Sequence, residues 1–198
     1  MAITINGSTN TLTGVAVGGL PDGIVDTDML AANAVTVAKA TGSVKGITEF
    51  DHWYLTANVT SDQTITSNII RNDRNGMTPA ERIGTGMSES SGIFTFPSTG
   101  KYIVLATVSF VINGSDSVVL DTMVTVNNSS YSAHSRATDG SGSGTRTGSG
   151  SSLAFIDVTD TDQVKVRFDA GSIASGSSVI GTSTYISTGF IFAKLGDT

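Results

Sequence analysis

The chain lacks cysteine altogether, and it has little proline and little charge. Its 198 residues include no cysteine, three prolines and 14% charged residues. Neither disulfide bonds nor thiolate chemistry is available, so stability must come from packing and assembly. The formal net charge of −6 argues against nucleic acid as a partner, because phosphate binding needs clustered Lys and Arg. Low charge with abundant Gly, Ser and Thr favours an all-β protein with long loops.

Long apolar segments are absent as well. No run approaches the roughly 20 apolar residues that cross a bilayer, so we expect no membrane insertion. The first residues, MAITINGST, lack both the basic and the apolar segment of a signal peptide. We therefore expect synthesis in a cytoplasm without export by the ordinary secretory route.

The first of two regions, residues 1–45, is short and changes pattern along its length. Two alternating segments flank a turn at Asn6-Gly7. From about Asp26, apolar residues recur at spacings of three and four, which predicts an amphipathic helix that ends near Gly42. A helix this short needs a partner, and either three copies of itself or the chain's own second region would serve.

The second region, residues 46–198, is typical of a β-sandwich because strand-like pieces recur with turn signals between them. The clearest strand begins at Lys101 and is apolar on both faces. Tyr102 and Phe110 belong to one face, and Ile103 and Leu105 belong to the other. A strand covered on both sides lies in the middle of a sandwich or at a subunit interface.

A sequence pattern opens this strand. It reads G-x-[FY]-x-x-P-x-x-G-x-Y and is filled by Gly92, Phe94, Pro97, Gly100 and Tyr102. It resembles the signature of the trimeric jelly-roll domains of the complement globular-head and tumour-necrosis-factor superfamily. Two later segments, SGSGSSLAFIDVTDTDQVKVRF and STGFIFAKL, resemble the paired late strands and the closing strand of that domain. The resemblance implies an all-β, antiparallel jelly-roll sandwich over residues 46–198 that assembles as a homotrimer.

A trimer would also bury apolar surface in excess of what one core can take. Aromatic residues are the candidates for its interface, and the sequence leaves open which of them face the axis and which face the intramolecular core. The candidates are Trp53, Tyr54, Tyr102, Phe110, Tyr185, Phe190 and Phe192.

The N-terminal region resembles another class of protein. The segment INGSTNTLTGVAVGGLPDGIVDTDMLAANAVTVAK is similar to the start of bacteriophage tail-fibre and neck-fibre proteins, those of marine phages in particular. In such fibres the phrase DMLAANAVTxAK, here residues 28–39, occurs in shaft-like segments before a distal head. The resemblance implies attachment of residues 1–45 to virion proteins of the tail, neck or capsid. The attachment candidates are Ile24, Met29, Leu30 and Val37.

The two resemblances together predict a structural protein exposed on the surface of a bacteriophage virion. The first hypothesis is a short trimeric fibre or spike whose jelly-roll head contacts a glycan or protein of the host surface. The second is a trimeric capsid decoration protein that stabilises the shell. A polysaccharide-degrading enzyme on a fibre has the least support, because no carboxylate pair or catalytic triad emerges.

No active site or cofactor site is predicted. His52 and His134 stand alone in separate segments, whereas metal sites need several ligands at matched spacing. Asp157, Asp160 and Asp162 suggest a calcium loop, but a β-turn prefers the same residue types. We therefore assign no catalytic residue, no metal and no cofactor.

One Gly- and Ser-rich stretch is a candidate for binding. Residues 139–152, DGSGSGTRTGSGSS, lack the Lys of a phosphate-binding loop and precede a strand rather than a helix. We expect a flexible, exposed loop, and loops at the ends of a sandwich often carry binding specificity. The candidate receptor contacts are Arg136, Asp139 and Arg146, together with residues 172–184.

Overall fold

The computed structural model describes residues 4–6, 8, 11–13, 46–72, 82–140 and 142–197. The chain divides into two compact units, Met1–Val44 and Lys45–Thr198. In the first unit, β1 (Thr4–Asn6) and β2 (Thr11–Thr13) pair antiparallel around the predicted turn. The predicted helix lies outside the described residues, as do the four attachment candidates Ile24, Met29, Leu30 and Val37.

The second unit is built from two antiparallel sheets. Its strands are β3 (Phe50–Leu55), β4 (Gln63–Thr64), β5 (Ile69–Arg71), β6 (Ser88–Ser90), β7 (Ile93–Thr95), β8 (Gly100–Asn113), β9 (Ser117–Thr125), β10 (Ser132–Gly140), β11 (Thr145–Val158), β12 (Lys165–Gly171), β13 (Ser178–Val179) and β14 (Gly189–Gly196). Sheet I has the order β11-β8-β14-β3-β5, with β13 beside β8. Sheet II has the order β10-β9-β12-β7-β6, with β4 beside β12. The all-β antiparallel sandwich predicted from the sequence is confirmed.

The Gly92–Tyr102 pattern forms the crossing from sheet II to sheet I. Gly92 has φ +81°, and a side chain there would collide with the carbonyl oxygen of Ile65. After Pro97 the chain turns into β8, where the Tyr102 hydroxyl donates a hydrogen bond of 3.1 Å to the carbonyl oxygen of Ser98. The residues of the pattern therefore shape the passage between the sheets.

Aromatic rings from both sheets fill the space between them. Phe94 of sheet II contacts Trp53 and Phe192 of sheet I, at ring-centroid distances of 5.4 and 4.9 Å. Phe168 of sheet II stacks on Phe190 of sheet I at 4.0 Å. We call these five residues the aromatic clamp. Burial of rings on this scale contributes a large share of the stability of a sandwich.

A buried carboxylate lies beside the aromatic clamp. Asp51 is 1% exposed and accepts hydrogen bonds from Trp53 Nε1 and from the Met87 backbone N–H, both at 2.8 Å. The Arg71 guanidinium reaches the same carboxylate at 3.1 Å and lies 4.5 Å from the Trp53 ring centroid. A buried charge persists when it is paired and fully hydrogen-bonded, so Asp51 joins β3, β5 and the chain before β6.

Replacing the ring at the centre of the clamp tests its contribution to stability. We expect Phe94→Ala to lower the free energy of unfolding by about 3–5 kcal/mol, because the lost ring leaves a cavity between the sheets. The measurement is chemical denaturation at equal protein concentration. Val126→Ala, at a position 73% exposed, is the control and should change stability by less than about 0.5 kcal/mol. Equal losses in both variants would contradict the central role of Phe94.

Candidate functional site

The outer face of sheet I carries apolar side chains that remain half-buried or exposed in the single chain. Because side chains alternate along a strand, Tyr102 and Val104 of β8 enter the core, while Ile103 and Leu105 point outward. Ile103 and Leu105 are only half-buried. On β11, outward Leu153 and Phe155 are 60% and 54% exposed.

Strand register arranges these outward side chains into two rows. One row consists of Leu153, Leu105, Ile191 and His52, which lie opposite one another across β11, β8, β14 and β3. The adjacent row consists of Phe155, Ile103, Ala193 and Phe50. We call the two rows the apolar face. It spans four neighbouring strands, a width of about 14 Å at the usual strand spacing.

His52 is the only ionisable member of the two rows. Its ring nitrogen Nδ1 lies 3.3 Å from the side-chain nitrogen of Asn72. Burial lowers the pKa of His52 below its usual value of 6.5, and this effect exceeds the opposing effect of the Asp51 carboxylate. The neutral imidazole is therefore the favoured form within the apolar face at neutral pH.

Most of the aromatic interface candidates lie inside the single chain. Tyr102, Phe110, Phe190 and Phe192 are at most 1% exposed and belong to the core, as does Trp53 at 8%. Of the two alternatives that the sequence left open, these five residues take the intramolecular core rather than an interface, because their side chains point toward sheet II. Tyr54 is 2% exposed, so it offers almost no surface to a partner. Tyr185, which is 60% exposed, stays a prediction.

The expected Gly- and Ser-rich loop is largely a strand. Residues 139–140 belong to β10 and residues 145–152 to β11, which pairs with β8, so for these residues the prediction of a flexible loop is wrong. The glycines have a packing role, because a side chain at Gly148 would collide with the Asp139 carboxylate of β10. Small residues are needed where the edge strands β10 and β11 of the two sheets meet.

The three receptor-contact candidates form ion pairs at this edge. Arg136 of β10 donates two hydrogen bonds, of 2.6 and 2.7 Å, to the Asp121 carboxylate of β9. Asp139 lies 3.6 Å from Arg146. The structure thus brings Asp139 and Arg146 together, while Arg136 pairs with a different carboxylate.

The aspartates considered for calcium have separate partners. Asp157 accepts a hydrogen bond of 2.7 Å from Lys101 Nζ. Asp160 accepts one of 2.8 Å from the Asp162 backbone N–H and thereby shapes a turn. Within the described ranges, no group of three or more His, Asp or Glu side chains is placed to hold a metal ion. None of the described segments forms a helix with the length and apolar character needed to cross a membrane.

Comparison with known proteins supports the fold and goes no further. No protein-family model and no curated protein sequence matches the chain. Among solved structures, murine APRIL at pH 8.5 is similar with 12% identity and a TM-score of 0.53, over 74% of this chain and 98% of that one. The Eiger TNF of S. frugiperda is similar with 14% identity and a TM-score of 0.53, over 77% of this chain and 95% of that one. The chain therefore has the jelly-roll fold of the tumour-necrosis-factor type, which confirms the fold expected from the Gly92–Tyr102 pattern.

Proposed function

We propose that the chain is a non-enzymatic structural protein of a bacteriophage virion: a short homotrimeric fibre whose jelly-roll head contacts the host surface. The observation that carries the assembly is the apolar face of sheet I. The resemblance of residues 28–39 to phage fibre shafts supports the virion assignment.

The apolar face supports association because it is expensive to leave in water. Leu153 and Phe155 are more than half exposed, and they lie opposite the half-buried Leu105 and Ile103. Full burial of each such side chain contributes about 1.5–3 kcal/mol. A contiguous apolar patch rimmed by polar residues is typical of a protein interface.

On β8 and β11 the apolar face is followed by polar residues at both ends. Beyond the Phe155 row lies the exposed ion pair of Lys101 and Asp157. Beyond the Leu153 row, β8 and β11 carry Thr107 and Ser151. This arrangement of an apolar centre between polar margins fits a subunit contact better than a membrane surface.

The ends of sheet I differ in their role for a fibre. β3 begins at Phe50, in the Phe155 row, so the chain enters the head at that end of the sheet. The loops at the opposite end of the strands are farthest from this point. If the N-terminal region attaches to the particle, those loops are the ones available for host contact. Three identical sites on one head would increase avidity for a surface.

The apolar face can be tested through its effect on assembly. We expect the protein to sediment at three times its chain mass of 20.3 kDa. Phe155→Glu should shift it to the monomer, because a carboxylate would be desolvated in the apolar face. The measurement is analytical ultracentrifugation. Val126→Glu adds the same charge at an exposed position outside the face and should remain trimeric. A monomeric parent protein, or a trimeric Phe155→Glu variant, would contradict the proposed interface.

His52 makes the stability of the folded chain depend on pH. Since the pKa of His52 is lower in the folded protein than in the unfolded chain, the folded state binds fewer protons. Stability is therefore lost as the pH falls below about 6.5, the value of a free histidine. We expect His52→Gln to flatten the decrease in the free energy of unfolding between about pH 7 and about pH 5. His134→Gln, at an exposed position, is the control and should keep the parent profile.

The proposed position on the virion can be tested by labelling phage particles. Antibody raised against the purified protein should label the tail, neck or sparse fibres of particles produced by the encoding phage. The measurement is immunogold electron microscopy of intact virions. Dense and even label over the head would favour a decoration protein instead. Absence of label from every particle would overturn the virion assignment.

A further inference from the structure

A groove opens on the outer face of sheet I, beside the apolar face. Its volume is about 390 Å³, toward the small end of the range for small-molecule sites. Its lining consists of Ser109, Thr147, Gly148, Ser149, Ile180, Tyr185 and Ser187. We call it the hydroxyl groove. Ser149 lies six residues along β11 from Phe155, about 20 Å from the row where the chain enters the head.

The floor and the wall of the hydroxyl groove are joined by hydrogen bonds. Ser109 of β8 and Ser149 of β11 lie opposite one another in the floor. The wall is the segment between β13 and β14. Ser109 Oγ donates a hydrogen bond of 3.1 Å to the Ser187 carbonyl oxygen, and the Ile180 N–H donates one of 2.8 Å to the Ser109 carbonyl oxygen. A site held by its own hydrogen bonds needs little ordering when a ligand binds.

The polar groups of the groove are neutral and available. Within the described part of the chain, the side-chain hydroxyls of Thr147, Ser149 and Ser187 have no protein hydrogen-bond partner, and no charged residue contributes to the lining. A hydroxyl both donates and accepts, so these three groups suit a ligand that carries hydroxyls itself. A charged ligand would find no counter-ion in this lining.

Tyr185 adds an apolar surface to this polar lining. Tyr185 is 60% exposed, so much of its aromatic ring is open to a ligand. An aromatic ring contributes a large contact area when a ligand covers it. An open aromatic ring beside free hydroxyls matches a pyranose, which has an apolar C–H face and a rim of hydroxyl groups. A second copy of this chain would be expected to bind the apolar face instead, because its two rows of apolar side chains are continuous.

We propose that the hydroxyl groove binds a neutral glycan, with one sugar ring against Tyr185 and its hydroxyls bonded to Thr147, Ser149 and Ser187. The biological role of this site rests on the proposed function, since a host-surface glycan is the expected source of the ligand. A single shallow groove binds weakly, with a dissociation constant on the order of 1 mM, and three grooves on one head would compensate by avidity.

The test uses the full-length trimer and a defined panel of probes. Maltotriose, cellotriose, mannotriose, galactotriose and chitotriose are titrated into isotopically labelled protein, and amide shifts are followed by NMR. We expect at least one of them to shift the amides of Ser149 and Tyr185. Sialyllactose and polygalacturonate fragments are the acidic comparison and should not bind. If none of the neutral probes shifts groove amides at millimolar concentration, the proposal is overturned.

Variants of the groove then locate the binding. Tyr185→Ala should weaken binding of the responding oligosaccharide about tenfold, and Tyr185→Trp should retain it. Thr147→Val keeps the shape but removes a hydroxyl, and should weaken binding about threefold to tenfold. Tyr131→Ala removes a tyrosine outside sheet I and is the matched control. Binding unchanged in Tyr185→Ala would overturn the site, as would loss of the trimer in Tyr185→Ala, which would identify the groove as a subunit contact.

Adsorption competition separates this proposal from the proposed function. Purified parent protein should reduce phage adsorption to host cells, and periodate oxidation of the cells should remove the sites for which it competes. If the parent protein does not compete at all, the host-contact function fails, whereas oligosaccharide binding in solution still supports the groove. If the parent and Tyr185→Ala proteins compete equally well, or if only protease treatment of the cells removes the sites, the glycan proposal fails.

Discussion

Contact between the two sheets through the aromatic clamp is the constraint on which the rest of the structure depends. Phe94 and Phe168 of sheet II meet Trp53, Phe190 and Phe192 of sheet I at ring distances between 4.0 and 6.4 Å. Once these rings occupy the space between the sheets, every alternate residue on the same strands must point outward. The identity of the outward residues then decides what the head can bind.

The outward residues of sheet I change character along β8 and β11. Near the point where the chain enters the head they are Ile, Leu and Phe, and farther along they are mostly Thr and Ser. The apolar part is suited to a copy of the same chain, because desolvation of apolar surface needs no specific geometry. The hydroxyl part is suited to a polar ligand of defined geometry. In our proposals, one sheet thus combines an assembly surface with a recognition surface, whose nearest rows on β11, at Leu153 and Ser149, are about 13 Å apart along the strand.

The sequence was informative where the signal is local. The Gly92–Tyr102 pattern identified the turn and the strand that follows it, since a positive φ and a fixed proline are properties of single residues. It was misleading for residues 145–152, because a run of Ser, Thr and Gly resembles a linker when its partner is unknown. That segment becomes a strand because it pairs with β8. Even the pair of residues nearest in the chain, Thr145 and Asn113, is separated by more than 30 residues. Residue type made the aromatic residues candidates for the interface, but it could not separate interface from core, because burial depends on which side of the strand a residue occupies.

The sequence by itself determined the alternation along each strand, the crossing turn and the absence of disulfide chemistry. Only the tertiary structure decided which of the two alternating faces is covered, because that depends on the sheet lying opposite rather than on the strand itself. The same holds for the Asp51 network, whose partners Arg71 and Met87 come from separate segments. It holds for the hydroxyl groove, where β8, β11 and the segment after β13 meet. Hydrogen bonds and burial act over space, so residues distant in the chain acquire a joint function only after folding.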